Sequence, residues 1–293
     1  MLQRTAQHRT LRTTQGTMAK AIGLILVGIV VIALLFVWAA PIFWMIITSF
    51  KPDQDIMVYP PEWFPKTYTA EHYTRVLGMY GFAHWFQNSL VVAIITTLLT
   101  LILQSMAAYP LSRMQFPGRA IILLVILSTF MVPSEIAFVP LFLALSSVEM
   151  TNTYQALILP VAASPFGLFL FTQFYKNIPT ELEDAARIDG CGSWRIYWNI
   201  ILPLSQPAAV AVTIFTFMGS WNNFMWPLIV TQSTETFTLP VGLANIATRS
   251  ITLAFYYGDA LAASTIVTVP ALIVFLLLQR HFVKGITMTG LKG

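Results

Sequence analysis

The sequence predicts an all-α integral membrane protein with six transmembrane helices, both termini in the cytoplasm, and a helix–turn–helix projecting from one cytoplasmic loop. Three observations carry this reading. Of 293 residues, 57% are hydrophobic and only 10% charged, against about 45–50% and about 25% in soluble domains; the mean hydropathy is +0.72. Six apolar stretches are long enough for a hydrocarbon core that roughly 20 helical residues cross. Twelve of the sixteen Lys and Arg residues fall on one side of those stretches.

The chain divides into a basic cytoplasmic segment (1–21), a six-span domain (22–282) and a cytoplasmic tail (283–293). The first span, about 22–47, contains no charge between Ala21 and Phe50. Arg4, Arg9, Arg12 and Lys20 precede it, as they would a signal peptide, but the apolar run far exceeds the 7–15 residues of such a segment, and bulky Trp38, Phe43 and Trp44 continue it. It is therefore an uncleaved span. The others run about 86–109, 120–145, 154–175, 207–231 and 259–282. Prolines recur within them (Pro133, Pro140, Pro160, Pro165, Pro227, Pro270). In lipid such residues are tolerated where neighbouring helices or a wet cavity satisfy the backbone groups they free.

Orientation follows from the basic residues. One side receives Arg4, Arg9, Arg12, Lys20, Arg113, Arg119, Lys176, Arg187, Arg195, Arg280, Lys284 and Lys292. The other holds Lys51, Lys66, Arg75 and Arg249. This census also absorbs the net charge of +4, so a nucleic-acid partner is not indicated. The single cysteine, Cys191, excludes a disulfide framework and a Cys-based metal cluster. Two outer loops have some size. The first, 50–85, is rich in proline and aromatic residues; the second, 232–258, is polar. Each fits either an extracytoplasmic partner or the interfacial belt of a membrane protein.

The cytoplasmic loop 176–206 reads KNIPTELEDAARIDGCGSWRIYWNIILPLSQ. Thr180 with Glu183 three residues later is a capping-box pattern. Leu182, Ala185, Ala186 and Asp189 fall at helical spacing on one side. Gly190 and Gly192 then stop the helix. Ser193 is placed to cap a second short helix, carrying Trp194, Tyr197 and Trp198 and ending before Pro203.

On these residues a resemblance becomes specific. Asp184-Ala185-Ala186, then Gly190, Ile200 and Leu202-Pro203 resemble, in type and spacing, the "EAA" signature of ABC importer membrane subunits. Asp184 stands where that family usually has Glu, which keeps the charge and shortens the reach. Phe50-Lys51-Pro52, Asn88-Ser89, Met131-Val132-Pro133, Asn152-Thr153, Trp221-Asn222 and Pro227-Leu228 extend the likeness to the carbohydrate-uptake permeases of the maltose type. The resemblance implies that Glu183, Asp184, Ala185, Ala186, Arg187, Gly190, Leu202 and Pro203 form the loop that docks on an ATP-hydrolysing subunit. It further implies a second permease, a pair of ATPase subunits and an extracytoplasmic solute-binding protein. The location implied is a bacterial or archaeal cytoplasmic membrane. The cargo implied is an oligosaccharide, a range that includes uronate oligosaccharides such as alginate.

Polar residues within the spans are few, which makes Glu135, Asn222 and Asn223 with Trp221 the candidates for a substrate pathway. Glu135 suits a hydrogen bond to a sugar hydroxyl, and equally a contact with a partner subunit; Trp221-Asn222 suits packing as well. The chain offers no nucleophile–base pair, no metal-binding spacing of histidines and no G-x-x-x-x-G-K-[ST] phosphate loop. It is therefore read as a transport subunit and not an enzyme, binding no cofactor itself, with ATP and Mg used by the partner. The competing reading is an ion- or proton-coupled secondary transporter with Glu135 as relay, which would need no docking loop.

Overall fold

The computed structural model describes the backbone of residues 2–79, 81–252 and 257–289. Every element among them is helical. In chain order the α-helices are α1 (Leu2–Thr48), α2 (Asp53–Ile56), α3 (Glu71–Met79), α4 (Phe82–Arg113), α5 (Arg119–Ser128, extended by a 3-10 turn over Thr129–Met131), α6 (Phe138–Ser147, preceded by a 3-10 turn over Ser134–Ala137), α7 (Tyr154–Ala162), α8 (Pro165–Lys176) and α9 (Glu181–Ile188). There follow α10 (Ser193–Ile196), α11 (Leu202–Leu204), α12 (Gln206–Trp221), α13 (Met225–Val230), α14 (Leu239–Thr252) and α15 (Tyr257–Thr289). The end of the tail, Lys292 included, lies outside the described residues.

Four helical stretches are long and apolar enough to cross a membrane: Gly23–Thr48, Phe82–Arg113, Tyr154–Lys176 and Tyr257–Leu277. Two more qualify only as bent pairs, Arg119–Met131 with Ser134–Ser147 at 96° and Ser193–Leu204 with Gln206–Trp221 at 73°. The apolar stretch 120–145 is thus no single rod. Its break falls before Ser134, where Pro133 is extended (ψ 129°) and cannot continue the preceding turn. The stretch 207–231 is likewise interrupted, after Trp221 and before Met225.

α4 is the centre of the bundle, packed against α7, α8, α12 and α14. Its buried face is small and polar as well as apolar (Asn88, Ser89, Ala93, Thr96, Thr97, Thr100, Gln104, Ser105, Ala108), which lets neighbouring helices approach closely. One apolar cluster joins α4 and α8 to the 186–212 region through Tyr109, Phe171, Tyr175, Tyr197 and Ile201. A second, at the other end, joins α3, α4, α12, α14 and α15 through Trp85, Phe217, Trp221 and Ile246. α1 leaves its apolar residues exposed and meets the bundle along α15.

Both loops between these ends carry helices that hydrophobic periodicity alone did not single out. In 50–85, α3 packs on α15, while Trp63 and Phe64 fold back edge-on against Trp44 and Phe43 of α1. In 232–258, α14 packs on α4 and α15.

Candidate coupling loop and membrane cavity

α9 ends in a full Schellman turn. The Cys191 N–H bonds the Ala186 carbonyl at 2.9 Å and the Gly190 N–H bonds the Arg187 carbonyl at 3.0 Å, with Gly190 at φ +81°. Open space surrounds the missing Cβ of Gly190, so glycine is required there by the backbone angle alone. Gly192 has φ −73° and serves as the cap of α10 without that requirement. Ser193 is the first residue of α10, and its side chain caps nothing.

The structure corrects the reading of α9 in two respects. Thr180 has a helical backbone and makes no side-chain cap. The Glu183 carboxylate turns inward instead, 3% exposed as a residue, and accepts a hydrogen bond from Arg113 Nε of α4. Arg113 also donates to the Tyr175 carbonyl at 3.3 Å. Second, Ala186 does not share a face with Leu182, Ala185 and Asp189. It is buried beside Glu183 in the cluster of Tyr109, Tyr175 and Tyr197, while Leu182, Asp184, Ala185, Ile188 and Asp189 are exposed. Arg187 also reaches back to Glu183, at 3.7 Å. A buried carboxylate beside two guanidinium groups outcompetes a solvated cap, because leaving it unpaired would be costly.

The second limb does not end before Pro203. It passes through that residue by widening into a π turn over Tyr197–Ile201, with the Leu202 N–H bonded to the Tyr197 carbonyl. A proline has no N–H to give the preceding turn, and one residue of slack accommodates its ring. Leu202 is partly buried and Pro203 exposed. Tyr197 is buried, its hydroxyl 2.8 Å from Ser105 Oγ of α4, whereas Trp194 and Trp198 are exposed.

The second candidate region forms where three helices are interrupted. The breaks at 132–133, 163–164 and 222–224 meet around a cavity of about 590 Å³. Ser134, Glu135, Ser164, Asn222 and Asn223 supply its polar lining, and Phe138, Phe224 and Trp226 its aromatic lining. Behind the middle break, Thr100 Oγ1 of α4 donates to the Ala162 carbonyl at 3.1 Å. The Gln104 amide fits the Ser164 N–H at 3.1 Å and the Ser164 carbonyl at 3.3 Å when its oxygen faces the former and its nitrogen the latter.

Glu135 is therefore brought together with Asn222 and Asn223, 87 and 88 residues further along the chain. Trp221 is not with them. It is 1% exposed, stacked on Phe217 at 5.9 Å, and its Nε1 donates to the Val267 carbonyl at 3.1 Å. Its place is in the packing of α12 on α15. Arg113, Ser164 and the Tyr197 hydroxyl were missed by sequence reasoning. The Ser164-Pro165 dipeptide inside an apolar run is a breaker signal that could have marked the cavity; the Arg113–Glu183 pair, 70 residues apart, carries no periodic signal.

Comparison with known proteins identifies the relatives of the chain. Residues 101–288 match the family described as "Binding-protein-dependent transport system inner membrane component". The arabinooligosaccharides transport system permease protein AraQ of Halalkalibacterium halodurans is 37% identical over 277 residues, covering 92% of this chain and 96% of that protein. The trehalose/maltose transport system permease protein MalG of Thermococcus litoralis is 34% identical over 274 residues, with 92% and 96% covered. Among solved structures, one chain of a bacterial ABC transporter involved in the import of the acidic polysaccharide alginate superposes with a TM-score of 0.79 at 21% identity. That match covers 90% of this chain and 98% of the other, and establishes likeness of fold.

Proposed function

The chain belongs to the inner membrane components of binding-protein-dependent transport systems, as a sugar-type ABC importer permease, and from that premise we propose that it carries an oligosaccharide across the cytoplasmic membrane on ATP hydrolysed by a separate subunit. As a permease it is a transport component and not an enzyme. The family sets aside the ion-coupled reading in which Glu135 is a proton relay.

In this reading the chain crosses the membrane six times, the two bent pairs each contributing to a span, with both termini in the cytoplasm. The loop 176–206 is the coupling element. Leu182, Asp184, Ala185 and Ile188 present the face toward an ATPase subunit, small enough at Ala185 for close approach. Gly190 fixes the turn that aims this face, and Glu183 and Ala186 hold it to the bundle. ATP and Mg act on the partner. A second permease completes the pathway, and an extracytoplasmic solute-binding protein delivers the cargo.

The observation that carries the transport reading is the convergence of three helix breaks on one cavity. Irregular backbone at membrane depth is tolerated where it lines a wet space. Sugar hydroxyls suit Glu135, Asn222, Asn223 and the freed backbone groups, and sugar C–H faces suit the aromatic rings. The names of the relatives, for arabinooligosaccharides and for trehalose/maltose, support an oligosaccharide. The test is to extract the chain from membranes and identify its companions. A second permease and an ATPase subunit should co-purify, and an oligosaccharide-loaded binding protein should stimulate Mg-ATP hydrolysis. Recovery of the chain without any ATPase subunit would overturn the reading.

A further inference from the structure

α4 continues unbroken through the centre of the bundle while α5–α6, α7–α8 and α12–α13 are interrupted. Its 32 residues span about 48 Å at 1.5 Å per residue. At one end it is tied to both limbs of the coupling loop. Arg113 pairs with Glu183 of the first limb, with side chains only 6% and 5% exposed, and Ser105 bonds Tyr197 of the second limb at 2.8 Å. At its other end it is tied to the segment leading into α14. Trp85 Nε1 donates to the Thr234 carbonyl at 2.9 Å, and Asn88 Nδ2 donates to the Glu235 and Phe237 carbonyls at 2.7 and 2.9 Å. Ser89 Oγ accepts the Leu239 N–H at 2.7 Å. Trp85, Asn88 and Ser89 lie at i, i+3 and i+4, on one helical face.

We propose that α4 is the strut that carries movement of the ATPase-docked loop to the extracytoplasmic segment 231–239, with Glu183, Arg113, Ser105 and Tyr197 as its inner anchors and Trp85, Asn88 and Ser89 as its outer ones. This rests on the reading of 176–206 as the coupling loop. It assigns Glu183 to the membrane side of that loop, as a positioning residue and not an ATPase contact. Two tethers at the inner end and three at the outer resist swivelling as well as sliding, so displacement of α9 toward or away from the bundle is passed along a rod. The interrupted helices around the cavity are left to change their angles about it.

The test uses the assembled importer with a spectroscopic label at Glu235→Cys, an exposed position, in a Cys191→Ser background. The readout is the shift of that label on adding Mg-ATP with vanadate, alongside the amount of ATPase subunit bound. One variant combines Arg113→Met with Glu183→Met, because removing a single partner would leave a buried unpaired charge while an apolar pair of similar size keeps the packing. A second is Asn88→Leu at the opposite end. We expect wild-type ATPase recovery in both and a label shift reduced about fivefold or more, the scale of a coupling between sites. A full shift in either variant overturns the strut, as does the lack of any shift in the unaltered complex. Loss of the ATPase subunit from the Met pair also overturns it, by making Glu183 a docking residue. Failure of the unaltered chain to hold an ATPase subunit would instead remove the coupling-loop reading.

Discussion

His72 and Asp259 meet at 3.0 Å although 187 residues separate them, and neither side chain reaches solvent. The imidazole Nε2 is 2.8 Å from the Lys51 carbonyl. Arg75 bonds the same Asp259 oxygen at 3.0 Å and Asp53 at 3.0 Å. The group ties α2 and α3 to the start of α15. Burial alone would pull the imidazole down, but the hydrogen bonds to Asp259 and the Lys51 carbonyl, with the charges of Asp53 and Asp259, outweigh it and hold its pKa raised.

A raised folded-state pKa stabilises the fold fully below the unfolded value of about 6.5, and that stabilisation is lost as pH rises through the folded value. Thermal unfolding of the purified chain should therefore occur at progressively lower temperature on the alkaline side of that window. His72→Phe should start lower at acid pH and lose the slope. An unchanged slope in the variant would place the pH dependence elsewhere. Gly258→Ala should mimic the loss, since a Cβ there would lie 2.2 Å from His72 Cε1.

Ala185 and Ala186 should behave oppositely although they are neighbours. Ala185 is exposed, so Ala185→Trp should leave the fold and its pairing with the partner permease intact while reducing recovery of the ATPase subunit. Ala186 is 8% exposed within an aromatic cluster. Ala186→Leu should overpack it and destabilise the chain by about 1–3 kcal/mol. Co-purification combined with thermal unfolding separates the two. Equal effects on both readouts would contradict the assignment of faces.

Gly190→Val should cost about 1–2 kcal/mol through the left-handed backbone alone, because nothing crowds the site. Gly190→Asn should cost distinctly less, as asparagine tolerates that conformation. Hydrogen exchange of the Gly190 and Cys191 amides, which close the turn, should accelerate in the Val variant and little in the Asn variant. Equal exchange in both would show that the turn does not depend on φ at this residue.

Glu135→Leu should lower oligosaccharide-stimulated ATP hydrolysis, while Glu135→Gln, which keeps shape and hydrogen-bonding capacity, should retain most of it. The expected loss for Leu is about 1–3 kcal/mol, or roughly five- to 150-fold, if a buried hydrogen bond to substrate is removed. Stimulation unchanged in the Leu variant would take this carboxyl off the pathway.

The helical class and the short helices α9 and α10 with the turn between them were legible because both rest on local pattern: apolar run length, and Asp184, Ala185, Ala186, Gly190 and Leu202-Pro203 in order. The left-handed turn at Gly190 was legible for the same reason. What escaped is long-range. Glu183 reads as a cap by its distance from Thr180, and only the arrival of Arg113 from another helix shows where the carboxylate goes. Ala185 and Ala186 read alike as small apolar residues, and only the packing of Tyr109, Tyr175 and Tyr197 separates them. Pro133 and Ser164-Pro165 signal breaks, but their meeting with the break at 222–224 in one place is a property of the bundle.

The cavity at the three breaks draws its lining from three separate stretches of chain, 134–141, 160–165 and 219–226. A substitution at Asn222 or Asn223 therefore alters one wall and leaves the other two as they are. What the cavity accepts can thus be changed one wall at a time, without disturbing the helix breaks that bring the three together.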